Sequence, residues 1–402
     1  MSKGCRVRVS GPLATYVDGF RDELAAQGYT VQVRDRNLRM LAQVSRWMAG
    51  RGLSVDELTS LVLEDFLDGR RRGGYHHALS MRAVMPLMGY LRGVGAAPGP
   101  LVAPASGALE VVLEDYRRYL LSERALTPTV AGKYTRLARA FLTEAVDAGV
   151  QLSELSAAVV TGYVVGQCRG RAAGSANHLV TGLRSVLGFL FLAGHINEPL
   201  ALAVPGVAHW GAGSLPRALS PDNVVALAAS CDSDTLAGRR DRAILALLAR
   251  LGLRAGEVAA LELDDLDWPA GELIVRTGKA ARRERLPLPV DVGEALVAYL
   301  HAGRPPVACR KVFVRLNAPI TGLSAAAVTS VVYRACGRAG LPRAGAHRLR
   351  HSAATAMLAG GASLTEIGQV LRHARAETTA IYAKVDRTAL VGLARPWPAG
   401  AP

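Results

Sequence analysis

Along most of the chain, apolar residues recur at every third or fourth position, which is the spacing of a helix with one buried face. Two stretches in the first half of the chain each predict four short helices of this kind. Each stretch ends in an apolar helix closed by glycine, MPLMGYLRGVG in the first and VLGFLFLAG in the second. The pattern therefore predicts two similar helical domains in succession.

The two stretches also share short motifs at a common offset of about 96 to 99 residues. Segments 41–58 and 137–155 both begin near Leu-Ala, contain a glycine and end in Glu-Leu. An internal duplication explains this correspondence, and it is the interpretation that we favour. The alternative is that any two helical bundles rich in alanine and leucine align loosely.

Two segments rich in glycine, proline, alanine and serine interrupt the helical pattern, at 93–107 and 203–220. They predict helical domains at 1–95 and 108–200, linkers at 96–107 and 201–217, and a C-terminal domain at 218–402. Ser220 is predicted to cap the first helix of the C-terminal domain, because a serine hydroxyl accepts from a free backbone N–H there. Pro221 fits the first helical position, where its missing N–H has no cost.

The C-terminal domain is predicted to be mostly helical, with one interlude of β-structure. Short apolar segments at 272–276 and 284–290 predict two strands around the basic turn TGKAARR. Two prolines in the second strand predict an edge position, because proline donates no ladder hydrogen bond. Helices are predicted at 240–253, 324–338, 348–359, 364–372 and 377–384. The chain as a whole is predicted to be mainly α, with a small antiparallel sheet.

Charge and composition narrow the function. The chain carries a formal net charge of +15, and 216–402 holds 25 basic against 16 acidic residues, so a polyanionic partner is expected. The five cysteines are scattered singly, which indicates neither a zinc site nor a disulfide framework and fits the cytoplasm. The N-terminus lacks an apolar signal core, and no apolar run is long enough to span a bilayer, so no membrane role is expected.

A set of cations followed by one tyrosine carries the candidate chemistry: Arg254, Lys279, His347, Arg350, His373 and Tyr382. Taken singly, each has a structural explanation, such as a charge at a helix end or a core tyrosine. Together they supply what metal-free phosphoryl transfer requires. Guanidiniums grip phosphate oxygens, a phenol stores the broken bond as a phosphotyrosine ester, and an amine protonates the leaving oxygen.

A metal ion is the alternative to the arginines, because it too stabilises developing charge on a phosphate. Asp232 and Asp234 have the D-x-D spacing of possible ligands, and so do Asp265 and Asp267. The first pair lies in a polar stretch before a helix and the second in a loop before a strand. We interpret both pairs as solvated acids and expect no metal and no other cofactor.

Three segments, in this order, resemble a known family: RDRAILALLARLGLRAGEVAALELDDLDW, TGKAARRERLPLP and AHRLRHSAATAMLAGGASLTEIGQVLRHARAETTAIYAKVD. Residues 216–395 resemble the catalytic domain of tyrosine recombinases, which include phage integrases and the Xer proteins. Residues 108–197 are similar to the SAM-like core-binding domain of that family, through weaker motifs. The resemblance implies tandem SAM-like helical DNA-binding domains, followed by an α-helical catalytic domain with a small antiparallel sheet.

The resemblance also implies a role for each member of the set. Arg254 and Arg350 would bind the scissile phosphate, and Lys279, in the β-hairpin turn, would protonate the leaving 5′ oxygen. Tyr382 would form the 3′-phosphotyrosine intermediate.

The remaining positions of the family motif are histidines and one carboxylate. His347 would assist proton transfer to and from the nucleophile, and His373 would hydrogen-bond the phosphate. Glu257 and His351 match positions that support the site from behind.

Duplex DNA is the partner that the resemblance implies. Strand exchange in the family takes place in a tetramer on two DNA sites, here a homotetramer or a mixed recombinase tetramer, without metal or nucleotide. The expected function is therefore a site-specific DNA recombinase or integrase of the mobile-element type. The alternatives are a non-catalytic accessory DNA-binding member of a recombinase set, and a type IB topoisomerase-like enzyme.

The sequence departs from the family pattern in two places. Arg372 stands where the family commonly has glycine, in Leu-Gly-His, and its side chain is expected to point outward into solvent or along the DNA backbone. The extra domain at 1–95 is a candidate second DNA clamp, arm-site binder or protomer contact. Its basic cluster, Arg70 to Arg72, is either a DNA contact or a solvated loop. The expected DNA contacts are Arg70, Arg71, Arg72, Lys133, Arg136, Arg282, Arg283 and Arg372.

Overall fold

The computed structural model describes residues 7–99, 107–207, 218–277, 282–373 and 376–385. It divides into two compact units. The first combines Met1–Pro100 with Leu215–Pro402, and the second is Leu101–Ser214.

The N-terminal part of the first unit is a bundle of four described α-helices: α1 (Val17–Ala26), α2 (Val31–Ala49), α3 (Ser60–Arg72) and α4 (Met81–Gly93). Its core is apolar, with Phe20, Leu41 and Met48 fully or almost fully buried. The Thr59 side chain accepts from the backbone N–H of Val62 and so caps α3. The predicted helices of this stretch are confirmed.

The second unit also contains four α-helices in its described part: α5 (Ala108–Ser122), α6 (Pro128–Asp147), α7 (Ala157–Cys168) and α8 (Ala173–Leu192). Thr127 caps α6 and Pro128 occupies its first turn. The starts of α2 and α6, Val31 and Pro128, lie 97 residues apart, as do those of α3 and α7, Ser60 and Ala157. This spacing agrees with a duplication, which stays a prediction, as do the domain boundaries.

The C-terminal part of the first unit contains the helices α9 (Pro221–Ala229), α10 (Leu236–Arg250), α11 (Ala255–Ala260), α12 (Val290–Ala302), α13 (Ala325–Arg338), α14 (Ala346–Ala359), α15 (Leu364–Val370) and α16 (Ala376–Ala380). A 3₁₀ helix, Ile381–Val385, follows α16. The predicted cap is confirmed, because the Ser220 hydroxyl accepts from Asn223 N–H at 3.3 Å. The core centres on α10, where Ile244, Leu247 and Leu248 are inaccessible to solvent.

A small antiparallel sheet follows α11 in the described chain, with β1 (Leu266–Asp267), β2 (Glu272–Thr277) and β3 (Arg282–Pro287) in the order β1-β2-β3. Glu272 pairs with Pro287, and Thr277 pairs with Arg282. β3, the second of the two predicted strands, lies at the edge of this sheet, so its predicted edge position is confirmed. Its predicted extent to residue 290 is wrong, because α12 already begins at Val290 after Pro289.

Other predicted helix boundaries also shift. The helix predicted at 240–253 ends at Arg250, and Gly252 beyond it takes a left-handed conformation with φ +58°. The helix predicted at 377–384 is a short α-helix followed by the 3₁₀ helix. In the part of the chain that the structure describes, no helix combines the length and apolar character needed to cross a bilayer.

Candidate active site

Helix α14 carries three of the predicted site residues in its first two turns, His347, Arg350 and His351. His347 and His351 lie four positions apart, so their side chains share one face of the helix. Their rings meet edge to face, with centroids 4.3 Å apart. The local helix thus fixes both imidazoles relative to each other and to the neighbouring Arg350.

Arg350 is buried, with 2% of its surface exposed. Its guanidinium donates to the backbone carbonyls of Gly252 and Leu371. Burial and, after it, the charge of Arg254 lower the pKa of Arg350 to about 10. The side chain still carries its charge at neutral pH, and two fixed acceptors orient it.

Position 252 favours glycine, both for its backbone conformation and for the space around it. Its φ of +58° is left-handed, and an added Cβ would lie 2.5 Å from Leu371 Cδ2. This close approach brings the Gly252 carbonyl to Arg350. The glycine of the GLR motif therefore positions an arginine that lies far from it in the sequence.

Arg254 stands at the N-terminus of α11 and is held by Glu257. Its backbone N–H donates to Glu257 Oε2 at 2.8 Å, and its guanidinium donates to Oε1 at 2.7 Å. The guanidinium also donates to the Arg372 carbonyl at 3.3 Å. The Arg254 side chain nevertheless remains 45% exposed, so it presents donors to solvent.

Glu257 is almost completely buried, with 8% of its side chain exposed. Burial acts to raise its pKa, but the backbone hydrogen bond from Arg254 and the charges of Arg372 and Arg254 outweigh burial, and the net shift is downward. Glu257 is therefore ionised at neutral pH. Its predicted role as a support of the site agrees with these contacts and stays a prediction.

The expectation that Arg372 points outward is wrong, since only 2% of its side chain is exposed. Its guanidinium donates to Glu257 Oε2 at 2.9 Å and to the Val370 carbonyl at 2.8 Å. The buried carboxylate explains this inward orientation. The burial of the Arg372 side chain argues against the expected DNA contact, which stays untested.

Tyr382 lies in the 3₁₀ helix and is 1% exposed. Its hydroxyl is 2.8 Å from His351 Nδ1. Burial raises the pKa of the Tyr382 phenol, and the charge of Arg350 opposes this shift. His351 rather than His347 is thus the imidazole that contacts the tyrosine. Sequence reasoning assigned His351 only a supporting position, although the HRLRH spacing places it on the same face as His347.

The histidines of the site favour their neutral form. Burial, followed by the charge of His347, lowers the pKa of His351 to about 4. Burial, followed by the charges of Arg350 and Arg254, lowers the pKa of His373 to about 4 and also lowers the pKa of His347. At neutral pH these imidazoles are therefore uncharged, and each has one ring nitrogen with a free lone pair that can accept a hydrogen bond.

His373 is oriented by Thr379, a residue that the sequence reasoning missed. The Thr379 hydroxyl is 2.7 Å from His373 Nδ1, and Thr379 is 4% exposed. The contact connects the segment after α15 to α16. It involves Nδ1 of His373, so Nε2 is the ring nitrogen that Thr379 does not contact. The only hint in the sequence is a threonine pair shortly before the tyrosine, at ETTA.

Lys279 lies outside the described residues, and so does the side chain of Arg282, whose backbone opens β3. Arg283 is exposed on the same strand. Lys133 and Arg136 are exposed on α6. The assignments of all these residues stay predictions.

Arg70 has internal partners in the N-terminal bundle. It is 9% exposed, donates to Gln43 and to the His77 carbonyl, and lies over the Tyr75 ring at 4.1 Å. This burial argues against the expected DNA contact at Arg70. Arg71 and Arg72 have side chains that are 54% and 75% exposed, and their contact with DNA stays a prediction.

The second D-x-D pair, Asp265 and Asp267, has arginine partners. Asp265 was interpreted as a solvated acid, but it is 3% exposed and accepts from Arg276 at 2.9 Å. Asp267 lies 3.5 Å from Arg285. Among the described residues, no three or more histidines, cysteines, aspartates and glutamates form a group able to hold a metal ion.

Comparison with known proteins identifies the family to which the chain is similar. Residues 217–388 match the family model described as the phage integrase family. The chain is 40% identical over 400 residues to a protein of Sinorhizobium fredii named for integrase/recombinase activity, with 96% of this chain and 95% of the relative covered. It is 30% identical over 309 residues to the tyrosine recombinase XerD of Mycobacterium leprae, with 71% and 96% covered.

The fold is similar to that of lambda integrase, solved as a tetramer bound to a Holliday junction. The TM-score is 0.54 at 18% sequence identity, with 82% of this chain and 91% of the integrase chain covered. The mainly helical fold with its small antiparallel sheet is thus shared with a protein of low sequence identity.

Proposed function

Since the chain belongs to the phage integrase family of tyrosine recombinases and its function is site-specific DNA recombination, we propose that it cleaves and rejoins duplex DNA through a covalent 3′-phosphotyrosine on Tyr382. The reaction uses neither a metal ion nor ATP. The observation that supports this most directly is that Arg254 and Arg350 both donate to the turn at 371–373, while His351, next to Arg350 on α14, contacts the Tyr382 hydroxyl.

Arg254 and Arg350 bind the scissile phosphate in this proposal. A guanidinium grips two oxygens through a planar fork, and charge fixed before the reaction stabilises the charge that develops on the phosphate. Arg350 is oriented by two backbone carbonyls, and Arg254 is exposed enough to meet a ligand. His373 adds a hydrogen bond through Nε2, because Thr379 holds its Nδ1.

Tyr382 attacks the phosphorus through its phenolic oxygen. The new bond joins phosphorus to this oxygen, the bond to the 5′ oxygen breaks, and the sugar leaves with a proton from Lys279. The phenolic proton passes to the imidazole pair of His351 and His347, whose rings lie 4.3 Å apart. Rejoining reverses these steps, with a 5′ hydroxyl as nucleophile.

Assembly follows from the need to exchange strands between two duplexes. We propose a tetramer on two DNA sites, made of identical protomers or of this chain with a related recombinase. The lambda integrase structure, a tetramer bound to a Holliday junction, supports the same arrangement. Phosphate contacts supply most of the affinity in such a complex, so binding weakens steeply with salt.

The first experiment is covalent trapping on duplexes that tile the DNA on both sides of the gene. Wild type and Tyr382→Phe are compared on denaturing gels, with nicked substrates that prevent religation. We expect an adduct with wild type alone and equal DNA affinity for both proteins. An adduct with Tyr382→Phe refutes the assignment of the nucleophile. Tight, salt-sensitive binding without any adduct favours an accessory DNA-binding protein.

Lys279 is tested with a sulfur in place of the scissile 5′ oxygen. A thiolate leaves without a proton, because the pKa of a thiol, about 8.5, is far below that of an alcohol. Lys279→Ala should therefore cleave ordinary DNA slowly and the sulfur-bridged duplex at nearly the wild-type rate. Equal defects on both substrates would contradict proton donation by Lys279.

A further inference from the structure

One buried carboxylate serves three arginines in the described part of the site. Glu257 accepts from the backbone and guanidinium of Arg254 and from the guanidinium of Arg372, and Arg350 lies close enough for its charge to interact with Glu257. The net charge of this group is +2, because the single negative charge of Glu257 offsets one of the three positive charges of Arg254, Arg350 and Arg372. Without Arg372, only one net charge would remain.

The guanidiniums of Arg254 and Arg372 bind different oxygens of the Glu257 carboxylate. The Arg254 guanidinium donates to Oε1 at 2.7 Å, whereas Arg372 donates to Oε2 at 2.9 Å. The ion pair of Arg372 is enclosed, since its side chain is 2% exposed, while Arg254 is 45% exposed. A buried ion pair is weakly screened, so Arg372 neutralises Glu257 more completely than a surface cation would.

We propose that Arg372 is a positioning residue that neutralises Glu257 and thereby keeps the charge of Arg254 available to the scissile phosphate. This inference rests on the proposed phosphotyrosine mechanism and deepens it. If Arg254 alone balanced the buried carboxylate, a phosphate would compete with Glu257 for the same guanidinium. Because Arg372 also pairs with Glu257, the carboxylate offsets less of the Arg254 charge when a phosphate binds.

The backbone of Arg372 contributes to the same arrangement. Its φ is +56°, a left-handed conformation that favours glycine. In this conformation the Leu371 carbonyl accepts from Arg350 and the Arg372 carbonyl accepts from Arg254. A glycine would adopt this backbone more easily but would leave the carboxylate with one partner fewer. The arginine side chain therefore has a role that the turn alone does not require.

The test compares Arg372→Met with wild type in single-turnover adduct formation at increasing DNA concentration. We expect the maximal rate to fall roughly 10- to 100-fold, less than the about 100- to 1,000-fold loss typical of a direct donor to the transition state. DNA affinity should stay within about twofold, because most phosphate contacts lie elsewhere. Arg372→Lys, which keeps the charge, should recover much of the rate.

The second comparison removes the carboxylate as well. Glu257→Gln combined with Arg372→Met restores two net positive charges, so this double variant should react at least about tenfold faster than Arg372→Met alone. Arg372→Gly relaxes the backbone without replacing the charge and should stay slow. A purely structural role for Arg372 predicts the opposite result. Arg372→Gly would then form the adduct at nearly the wild-type rate, and the double variant would react no faster than Arg372→Met.

Arg310→Met is the matched control, because Arg310 pairs with Asp264 at the surface and its side chain is 61% exposed. Thermal denaturation of each variant identifies any that has lost its fold. The inference is overturned if Arg372→Met reacts as fast as Arg310→Met, or if the double variant is no faster than Arg372→Met. If wild type itself forms no adduct, the proposed mechanism fails first, and the inference falls with it.

Discussion

The close approach at Gly252 allows a quantitative test of how the site is held together. Gly252→Ala adds one methyl group at a residue with φ +58°, 2.5 Å from Leu371 Cδ2. Gly340→Ala is the matched control, since Gly340 has φ +65° with nothing within 4 Å of the added Cβ. The two variants share the left-handed backbone and differ in the space available.

The left-handed conformation costs a non-glycine residue about 1–2 kcal/mol. Gly340→Ala should lose about this much unfolding free energy. Gly252→Ala should lose a further ~1–3 kcal/mol, which is typical of overpacking a buried site. At about 2–4 °C per kcal/mol for a domain of this size, its melting temperature should fall at least about 2 °C below that of Gly340→Ala.

Activity should separate the two variants further. The Gly252 carbonyl accepts from Arg350, so a shift that relieves the contact with Leu371 also moves an acceptor of that guanidinium. Thermal melts and single-turnover adduct formation on one trapping duplex provide both measurements. We expect Gly340→Ala to react like wild type and Gly252→Ala to react slowly. Equal stability and equal rates would refute the argument that Gly252 positions Arg350.

Three further predictions concern stability. Between pH 6.5 and about 4, His351 and His373 are protonated in the unfolded chain but not in the folded chain. The melting temperature should therefore fall as the pH falls, and His351→Gln should make this dependence less steep. An unchanged slope in His351→Gln would contradict the lowered pKa of His351. Arg70→Met should lower the melting temperature without weakening DNA binding, because Arg70 is buried. Arg72→Met should weaken DNA binding without lowering the melting temperature, because the Arg72 side chain is exposed. Measurements of DNA affinity at several salt concentrations distinguish the two variants. Ser220→Ala should lose about 1 kcal/mol of unfolding free energy in denaturant titrations, and no loss would argue against the cap.

The features predicted well from the sequence are those fixed by near neighbours in the chain. Ser220 and Pro221 start a helix through contacts within a few residues, and the helical periodicity of 324–338 appears almost unchanged as Ala325–Arg338. The second strand was correctly assigned to an edge because proline affects its own ladder position. Its end was missed because Pro289 serves equally well before a helix, and α12 uses it in that way.

Contacts between distant residues were predicted less well. A charged residue in place of a glycine was expected to face solvent, but Glu257, over a hundred positions earlier, gives Arg372 a buried partner. Arg70 looked like part of a surface cluster, and only the folded bundle brings Gln43 and Tyr75 to it. His351 showed the right helical spacing, but its contact with Tyr382 depends on how α14 meets the 3₁₀ helix.

The burial of Tyr382 has a consequence for how the enzyme discriminates among DNA molecules. With 1% of its surface exposed and its hydroxyl 2.8 Å from His351 Nδ1, the tyrosine that we propose as the nucleophile reaches a phosphate only in a more open form of the site. The cleavage rate is then the intrinsic rate multiplied by the fraction of protomers in the open form. At a ratio of one open to 99 closed, cleavage slows about 100-fold.

A DNA molecule that binds both forms equally leaves this fraction unchanged, however tightly it binds. Only DNA, or a neighbouring protomer, that binds the open form better accelerates cleavage. The free energy of binding a DNA site and the free energy of opening the active site are therefore separate quantities that add. Under the proposed mechanism, the recombinase can therefore bind other DNA without cleaving it, and it breaks a strand only where the bound assembly favours the open form.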